Sequence, residues 1–374
     1  MNMIRNLKIL AVLGILTAGI ISCSKDNVAG PTEEPKPEVK EVKLPSASRI
    51  SDMALIYHGG SQRIANNNEQ MKPYVFRDNG GKPEFLFDSF LFLEITTTLN
   101  GQLYDFGVEV PYAKVPGKAE WIWLLDQTFA EGRGPDAIEH TIDSLVQKGY
   151  APPTKRKVVF SIPNPIYGNK SWGMIDNKAM DMSKLEDRFK AARWYVEQVQ
   201  ERWKKKNYKY IELEGYYWVH ETIDSHNQDD VLIKQVSDLV KSEKKDFVWI
   251  PYNWAEGAER WKEIGFTRAY QQPNYFFDLK SELWILQRGI DFAKEKGLQL
   301  EFEFDDRVSE EGYRKHFYDY VEKFEESGVW DNQEVAYYEG GGAWYRMSIS
   351  KKTEMMKMAK TLGDIIVERQ KRLK

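Results

Sequence analysis

The sequence has very few of the residues that disulfides and metal sites require. Its 374 residues include one cysteine, Cys23, so neither an internal disulfide nor a CxxC metal site can form. The five histidines lack the HExxH spacing of zinc hydrolases, and no GxSxG nucleophile motif occurs. The glycine run at 340–342 lacks the GxGxxG pattern of nucleotide sites. We therefore predict no metal and no cofactor.

The sequence also lacks an excess of basic residues. Its formal net charge is -4, with 29% charged residues, which excludes the broad positive surface that nucleic-acid binding requires. Aromatic residues are abundant by contrast, with 12 Trp and 20 Tyr. Such a surplus is typical of carbohydrate binding, because flat sugar faces stack on aromatic rings, and equally of a large aromatic core. Composition alone leaves both interpretations open, and it leaves the oligomeric state open as well.

A long hydrophobic run occurs near the N-terminus, at residues 9–21. It is shorter than the ~20 residues that span a bilayer, and it ends in residues 20–23, which resemble a bacterial lipobox. In a lipobox the signal peptide is removed before a cysteine that is then lipidated. We therefore predict a signal peptide over 1–22, lipidation of Cys23, a flexible tether over 23–46 and a folded domain over 47–374.

The residues that directly follow Cys23 indicate where the protein is located. Ser24, Lys25 and Asp26 resemble the export signal of surface lipoproteins in Bacteroidetes. We expect a protein that is anchored by lipid to a membrane, the outer membrane of a Bacteroidetes-type bacterium. The sequence leaves open whether it faces the cell surface or the periplasm.

Strand-like and helix-like segments alternate from residue 51 onward. Eight strand candidates lie at 53–57, 85–96, 157–162, 208–214, 247–252, 266–271, 298–304 and 335–338. Helical patterns lie at 136–148, 185–205, 230–243, 258–263, 279–296, 311–327 and 351–373. Eight alternations predict an α/β fold, a (β/α)8 TIM barrel, with a long insertion at 101–131 after the second strand and an extra hairpin around 120–125.

The seventh strand candidate carries acids on one face. Leucine and phenylalanine alternate with Glu301, Glu303 and Asp305, and the apolar residues must face the helices. The acids therefore point into the barrel mouth, where the active sites of this fold lie. Asp305 and Asp306 could instead contribute to a metal-dependent hydrolase, although solvated acids are common at a strand end.

The fourth strand candidate shows the same pattern. Glu212 and Glu214 share the inward face, and Glu221 follows in the loop. Acids from the fourth and seventh strands lie on opposite sides of a barrel mouth, as glycoside hydrolysis requires. The alternative is a buried salt-bridge layer with inward Lys or Arg side chains.

Polar and aromatic residues at other strand ends are weaker candidates. Tyr252 and Asn253 follow the fifth strand, and Gln271 and Asn274 follow the sixth; amides of this kind hold sugar hydroxyls or simply form turns. Asp88 within the second strand is either a sugar ligand or a buried hydrogen-bond anchor.

Five ordered motifs together resemble a known family. They are FDSFLFL at 87–93, GYYWVHE at 215–221, WIPYN at 249–253, GFTRAYQQPNYFF at 265–277 and LEFEFDDR at 300–307. This pattern is similar to the bacterial family catalogued as domain of unknown function 4855, which looks related to TIM-barrel glycoside hydrolases. The resemblance implies Glu221 and Glu303 as the catalytic pair, with the site lined by Asp88, Tyr217, Tyr252, Asn253, Gln271 and Asn274. Glu214 matches the family pattern less distinctly, and we add it to the substrate-binding candidates together with Trp218, Glu301 and Asp305.

The leading hypothesis is a glycoside hydrolase of a polysaccharide or oligosaccharide, with Glu221 as general acid and Glu303 as nucleophile or base. Glu301 and Asp305 would raise the pKa of Glu303 through like charge. The alternative from another class is a non-catalytic surface lipoprotein that binds glycans.

Overall fold

Eight parallel strands form a closed barrel in the computed structural model, which describes residues 42–59 and 63–372. Each strand pairs with the next one along the chain, and the first pairs with both the second and the eighth. The strands are β1 Asp52–Tyr57, β2 Ser89–Leu93, β3 Arg156–Ile162, β4 Ile211–Trp218, β5 Asp246–Trp249, β6 Arg268–Gln271, β7 Gln299–Glu303 and β8 Val335–Tyr338. The predicted (β/α)8 barrel is confirmed.

Helices surround the barrel. They are α1 Asn68–Val75, α2 Lys118–Thr128, α3 Pro135–Val146, α4 Leu185–Lys206, α5 Asp229–Ser242, α6 Trp261–Ile264, α7 Leu283–Lys296, α8 Glu311–Glu326, α9 Val329–Asn332, α10 Ala343–Ser348 and α11 Thr353–Arg372. Three antiparallel hairpins decorate the loops, at Phe76–Asn79 with Lys82–Phe85, Thr96–Leu99 with Gln102–Asp105, and Met174–Ile175 with Lys178–Ala179.

The insertion between β2 and β3 is present, but its predicted hairpin around 120–125 is wrong. Those residues belong to the helix α2, and the hairpin of this insertion lies earlier, at Thr96–Asp105. The side chain of Glu120 accepts a hydrogen bond from Gly117 N at 2.7 Å, which satisfies a free backbone donor at the helix start. Trp121, Leu124 and Leu125 are buried at helical spacing. Core packing thus decides the structure of a segment whose Trp-Ile-Trp run favours a strand locally.

Apolar side chains fill much of the barrel interior, and every barrel strand except β7 contributes to them; the inward positions of β7 carry Glu301 and Glu303. The interior cluster comprises Ile50, Met53, Leu55, Tyr57, Leu91, Leu93, Val159, Tyr217, Val219, Val248, Ile250, Tyr270 and Ala336. A larger cluster lies between the strands and the helices. Because neighbouring residues of a strand point to opposite faces, these two clusters show which side chains can reach the mouth.

A β-bulge in β4 changes which residues face inward. The register with β3 shifts between Leu213 and Gly215, so the alternation is reset in the middle of the strand. A Cβ atom at Gly215 would lie 2.1 Å from the carbonyl oxygen of Asp246, so no larger residue fits there. After the bulge Tyr217 belongs to the barrel interior, and Trp218 belongs to the layer beneath the helices.

The chain meets the barrel at the end where the strands begin. Lys155 N, just before β3, donates to Pro45 O at 2.9 Å, and Ser46 Oγ donates to Glu212 at 2.5 Å. The end of the predicted tether, residues 42–46, is therefore packed on the barrel. The predicted signal peptide, Cys23 and the rest of the tether up to residue 41 lie outside the described residues. Over residues 42–59 and 63–372, no helix is long and apolar enough to cross a membrane.

Candidate active site

A cavity of about 210 Å³ opens at the C-terminal ends of the strands. Its walls come from every barrel strand except β3, or from the loops directly after these strands: Leu55, Tyr57, Leu93, Ile95, Tyr217, Glu221, Ile250, Gln272, Phe277, Glu301 and Tyr338. Tyr338 contacts Tyr57 and Phe277 edge to face, with ring centroids 5.9 and 5.4 Å apart. The cavity thus combines aromatic rings with two carboxyl groups at the barrel mouth.

Glu221 reaches the cavity from the loop after β4. Tyr252 N donates to the backbone oxygen of Glu221, which ties this loop to the one after β5. The side chain is partly exposed to the cavity. Burial in this apolar surrounding raises the pKa of the Glu221 carboxyl to about 7, against a smaller lowering by a hydrogen bond from Gln272. A carboxyl with such a pKa can donate a proton near neutral pH.

Glu303, the last residue of β7, is fully buried and receives several hydrogen bonds. Asn274 donates to its Oε1 from the backbone N at 3.1 Å and from Nδ2 at 3.2 Å, and Tyr320 OH donates to its Oε2. Burial raises the pKa of Glu303 to about 8, above that of Glu221, although these donors oppose the increase because they stabilise the carboxylate. Glu303 is therefore held in one position with its charge stabilised on both oxygens.

Glu301 lies two residues before Glu303 on the same inward face and lines the cavity. It is buried, and among the residues that the structure describes none donates a hydrogen bond to its Oε2. Burial raises the pKa of Glu301 well above its ordinary value, and the nearby charges of Glu303 and Glu221 raise it further. Glu301 thus lacks the hydrogen-bond donors that partly offset the effect of burial on the pKa of Glu221 and of Glu303.

Three carboxyl groups this close share their protons. Glu221 and Glu303 each raise the pKa of Glu301, and the charge of Glu221 raises that of Glu303. Near neutral pH the group therefore holds both an ionised and a protonated carboxyl. That mixture can supply an acid and a carboxylate within a single site.

Tyr217, Tyr252, Asn253 and Asn274 lie at or beside the mouth. Tyr217 lines the cavity, while Tyr252 is 39% exposed on the rim. Asn253 N donates to Asn274 Oδ1 at 2.6 Å, and Asn274 in turn holds Glu303. Asn253 and Asn274 therefore connect the loops after β5 and β6 with the acid of β7.

Two predicted site residues point away from the cavity. Trp218 is fully buried beneath the helices, with its ring 6.4 Å from that of Phe247, because the bulge in β4 turns it outward. Gln271 is also buried, and its Nε2 donates to Gln272 O at 2.9 Å. The next residue, Gln272, lines the cavity instead, so the glutamine that faces inward is one residue after the predicted one.

Two further predicted residues, Asp88 and Glu214, lie at the opposite end of the barrel. Asp88 directly precedes β2 and accepts hydrogen bonds from Ser51 N and Asp52 N at 3.0 to 3.1 Å, so it anchors backbone. Burial raises the pKa of Asp88 to about 6. Glu214 pairs with Lys157 at 2.5 Å, and Lys157 also lies 3.5 Å from Glu212. The salt-bridge layer, the alternative considered for these acids, is the arrangement that the structure shows.

The acids that follow Glu303 are engaged in ion pairs. Asp305 pairs with Arg307 at 2.6 Å and accepts from the Arg307 backbone, and Asp306 pairs with Arg346 at 2.6 Å. Neither residue lines the cavity. Asp305 thus anchors the loop after β7. Within residues 42–59 and 63–372, no group of three or more His, Cys, Asp or Glu side chains is arranged to hold a metal ion.

Several residues of the site were not predicted from the sequence. Tyr57 and Tyr338 follow from inward alternation on β1 and β8, so the same rule that selected Glu301 could have found them. Phe277 and Tyr320 carry no local signal. Tyr320 lies on α8 and reaches Glu303 only because that helix packs on β7, where its ring lies 5.1 Å from Phe302.

Comparisons with known proteins give distant structural matches. A family GH18 chitinase catalytic domain from the fern Peteris ryukyuensis is 9% identical, with a TM-score of 0.39 over 83% of this chain and 98% of that one. An endo-1,4-beta-D-mannanase from Thermotoga petrophila is 8% identical, with a TM-score of 0.43 over 86% and 99%. Methylaspartate ammonia lyase from Clostridium tetanomorphum is 11% identical, with a TM-score of 0.40 over 88% and 61%. The three names denote different enzymes, so these matches indicate no activity for this chain.

The sequence itself matches none of the curated proteins with which it was compared. A family model does match, and it covers residues 52–363, which include the whole barrel and the three acids of the mouth. The protein therefore belongs to the family described as Domain of unknown function (DUF4855).

Proposed function

We propose that the protein hydrolyses glycosidic bonds of a polysaccharide or oligosaccharide at the barrel mouth. The observation that carries the proposal is the convergence of three acids: Glu221 and Glu301 line a cavity together with aromatic rings, and Glu303, which does not line it, is buried beside them. Glycoside hydrolysis needs one protonated and one ionised carboxyl on opposite sides of the scissile bond. Tyr57, Tyr217 and Tyr338 offer apolar faces against which a sugar ring can pack.

In the proposed reaction Glu221 gives its proton to the leaving glycosidic oxygen as the bond to the anomeric carbon breaks. Glu303, as the carboxylate, either attacks that carbon or removes a proton from the water that attacks it. Glu303 has three hydrogen-bond donors, from Asn274 and Tyr320, whereas Glu221 has one from Gln272, so the hydrogen bonds favour Glu303 as the ionised partner even though burial raises its pKa further than that of Glu221. Glu301 keeps its proton and so avoids a second negative charge beside Glu303.

The substrate class follows from the charge of the site. The acids of the mouth already repel one another, so a glycan that carries carboxylate or sulfate groups would add to that repulsion. A neutral glycan is the better fit. The test is incubation of the purified chain with neutral and anionic polysaccharides and oligosaccharides, with the released reducing ends measured.

Variants of the acids make this test specific. Glu303→Gln and Glu221→Gln should each lower the rate of sugar release by about 100-fold or more, the usual contribution of a positioned acid or base. Glu214→Gln is the matched control, because it also removes an inward carboxyl of the barrel but at the opposite end. Sugar release that survives Glu303→Gln, in a variant with wild-type circular dichroism, contradicts the assignment.

A second candidate is glycan binding without turnover. Both oxygens of Glu303 already accept hydrogen bonds from the protein, an arrangement that also suits a purely structural carboxylate. Calorimetry with the same glycans separates the two functions. Binding with no reducing ends released, and with affinity unchanged in Glu303→Gln, would favour the binding protein.

A further inference from the structure

Trp254, in the loop after β5, combines exposure with an unusual backbone. The side chain is 65% exposed, and its φ of 74° lies in the left-handed region. A bulky residue rarely adopts this conformation, because its Cβ crowds the backbone, whereas glycine would adopt it freely. A tryptophan in this conformation carries backbone strain. Because the side chain is exposed, burial does not offset that cost. Such an outlier suggests a role in binding.

The Trp254 ring is held in a fixed orientation. The guanidinium of Arg288 on α7 lies directly over one face of the indole, a cation–π contact. Arg288 also donates to Asn253 Oδ1 at 2.5 Å, which fixes the guanidinium against the same loop. One face of the ring is thus covered by Arg288, and the high exposure of the side chain leaves the other face open to solvent.

A second exposed indole lies next to Arg288. Trp284 is one helical turn earlier on α7, so the two side chains share a face of the helix. Trp284 is 54% exposed and lines an open groove of about 400 Å³ with Gln287, Arg288, Asp291, Phe292 and Glu295. The groove therefore offers an aromatic ring together with amide and carboxylate groups that can accept and donate hydrogen bonds.

These residues are connected with the candidate active site. Asn253, which holds Arg288, donates from its backbone to Asn274, and Asn274 donates to Glu303. Both Trp254 and the start of α7 follow C-terminal ends of barrel strands, so they lie on the rim of the mouth. Tyr252 and Trp254 are both exposed in the loop after β5, so a chain that leaves the mouth over this part of the rim would pass aromatic rings.

We propose that Trp254, Arg288 and Trp284 form a sugar-binding platform that holds a distal part of a neutral glycan chain while another part occupies the barrel mouth. This proposal rests on the proposed function for its choice of ligand. A pyranose ring stacks on the open face of Trp254, and the amide and carboxylates beside Trp284 bind hydroxyl groups of the next units. A second copy of the protein is the other possible occupant, but the carboxylates of the groove would then have to be buried.

The experiment compares long and short ligands. The affinities of cellohexaose, xylohexaose and mannohexaose, and of the matching disaccharides, are measured by calorimetry on the Glu303→Gln chain, which prevents turnover. The ratio of hexasaccharide to disaccharide affinity is the readout. Trp254→Gly and Trp284→Ala are each added to this background. Tyr150→Ala is the matched control, because Tyr150 is an exposed aromatic residue before β3, at the opposite end of the barrel.

The expected result is a fall of about tenfold in the affinity ratio for each tryptophan variant, and none for Tyr150→Ala. Trp254→Gly should melt close to the wild-type temperature, because relief of the backbone strain offsets the lost contact with Arg288 and the greater freedom of glycine in the unfolded chain. A purely structural tryptophan would instead lower the melting temperature and leave the ratio unchanged, which overturns the proposal. A dimer in sedimentation that the tryptophan variants dissociate overturns it as well, and so does the absence of hexasaccharide binding.

The two proposals fail separately. If the wild type releases sugar but both tryptophan variants keep the wild-type ratio, the platform is wrong and the hydrolase stands. If the hexasaccharide binds through the tryptophans but no sugar is released, the platform stands and the hydrolase is wrong.

Discussion

At the scale of single residues, the three acids of the mouth differ in the hydrogen bonds that each carboxyl receives. Glu303 accepts bonds from two side chains and a backbone amide, Glu221 from Gln272, and Glu301 from no described residue at its Oε2. Donors stabilise the ionised form, so the same burial has unequal effects on the three acids. The hydrogen-bond pattern, and not the spacing in sequence, therefore separates the roles of Glu301 and Glu303.

The buried carboxyl of Glu301, whose Oε2 receives no hydrogen bond from a described residue, predicts a pH-dependent stability. Its pKa in the folded protein is raised well above 4.5, so the folded state keeps a proton that the unfolded state releases as the pH rises through about 4.5. The stability that this proton contributes is fully present below that pH. It then decreases by about 1.4 kcal/mol per pH unit for one carboxyl, until the folded state ionises too. Glutamine cannot ionise and removes this loss.

We therefore expect Glu301→Gln to raise the melting temperature relative to the wild type at pH 7.5, and to raise it much less at pH 4.5. Thermal unfolding followed by circular dichroism at both values checks this. Glu325→Gln, an exposed acid on α8, serves as the surface control. An equal difference at both pH values would mean that Glu301 is already ionised in the folded protein.

At the scale of elements, a buried arginine helps to attach the helix α11 to the barrel. Arg369 is fully buried and donates to Asp52 Oδ1 at 2.7 Å, to Ser51 O and Gln333 O at 2.9 Å, and to Trp330 O. These partners lie at the start of β1, in α9 and before β8. A single side chain thus joins the last helix to the first and last strands.

Removing this arginine should be costly. Arg369→Met leaves the buried carboxylate of Asp52 without its cation, so we expect a loss of about 3–5 kcal/mol in the free energy of unfolding. Arg372→Met is the matched control on the same helix. It breaks a pair with Asp331 whose side chains are about half exposed, which should change stability by about 0–1 kcal/mol. Urea denaturation measures both, and similar losses for the two variants would contradict this account.

The sequence predicts where the strands lie better than it predicts which of their side chains face the cavity. The eight strands were located because apolar residues alternate or run together wherever a strand is buried on both sides, as in β7. The helix α2 was missed because its Trp-Ile-Trp run favours a strand locally, while packing of Trp121 in the core decides for a helix. Pro73 within α1 likewise concealed a helix from sequence patterns.

The direction in which a strand side chain points depends on features that the local sequence pattern does not show. The bulge at Gly215 reverses the alternation, so Tyr217 faces the cavity and Trp218 does not. Glu214 and Glu303 read alike in sequence, as inward acids of a strand. Their roles differ because of their positions along the barrel axis. Glu214 pairs with Lys157 near the start of the strands, and Glu303 accepts a hydrogen bond from Asn274 at the strand ends.

At the scale of the whole molecule, the two ends of the barrel have different chemistry. The end where the strands begin carries ion pairs, those of Lys157 with Glu214 and of Arg268 with Asp246. The other end carries the acids and aromatic rings of the mouth. Residues 42–46 contact the first of these ends, so the chain enters the barrel away from the candidate active site.

This arrangement leads to a prediction about the anchor. We propose that Cys23 is lipidated and holds the protein at the outer membrane; the chain from residue 23 to 42 could extend at most about 65 Å. Because the chain joins the barrel away from the mouth, anchoring should leave the site accessible, and the anchored and released forms should hydrolyse the same soluble oligosaccharide with equal kcat/KM.

Cys23→Ser should lose incorporation of labelled palmitate and move to the soluble fraction, as fractionation and labelling in the producing cells will show. Retention of Cys23→Ser in the membrane fraction would contradict the lipid anchor. A lower kcat/KM for the anchored form would contradict the expectation that the barrel mouth stays accessible to substrate.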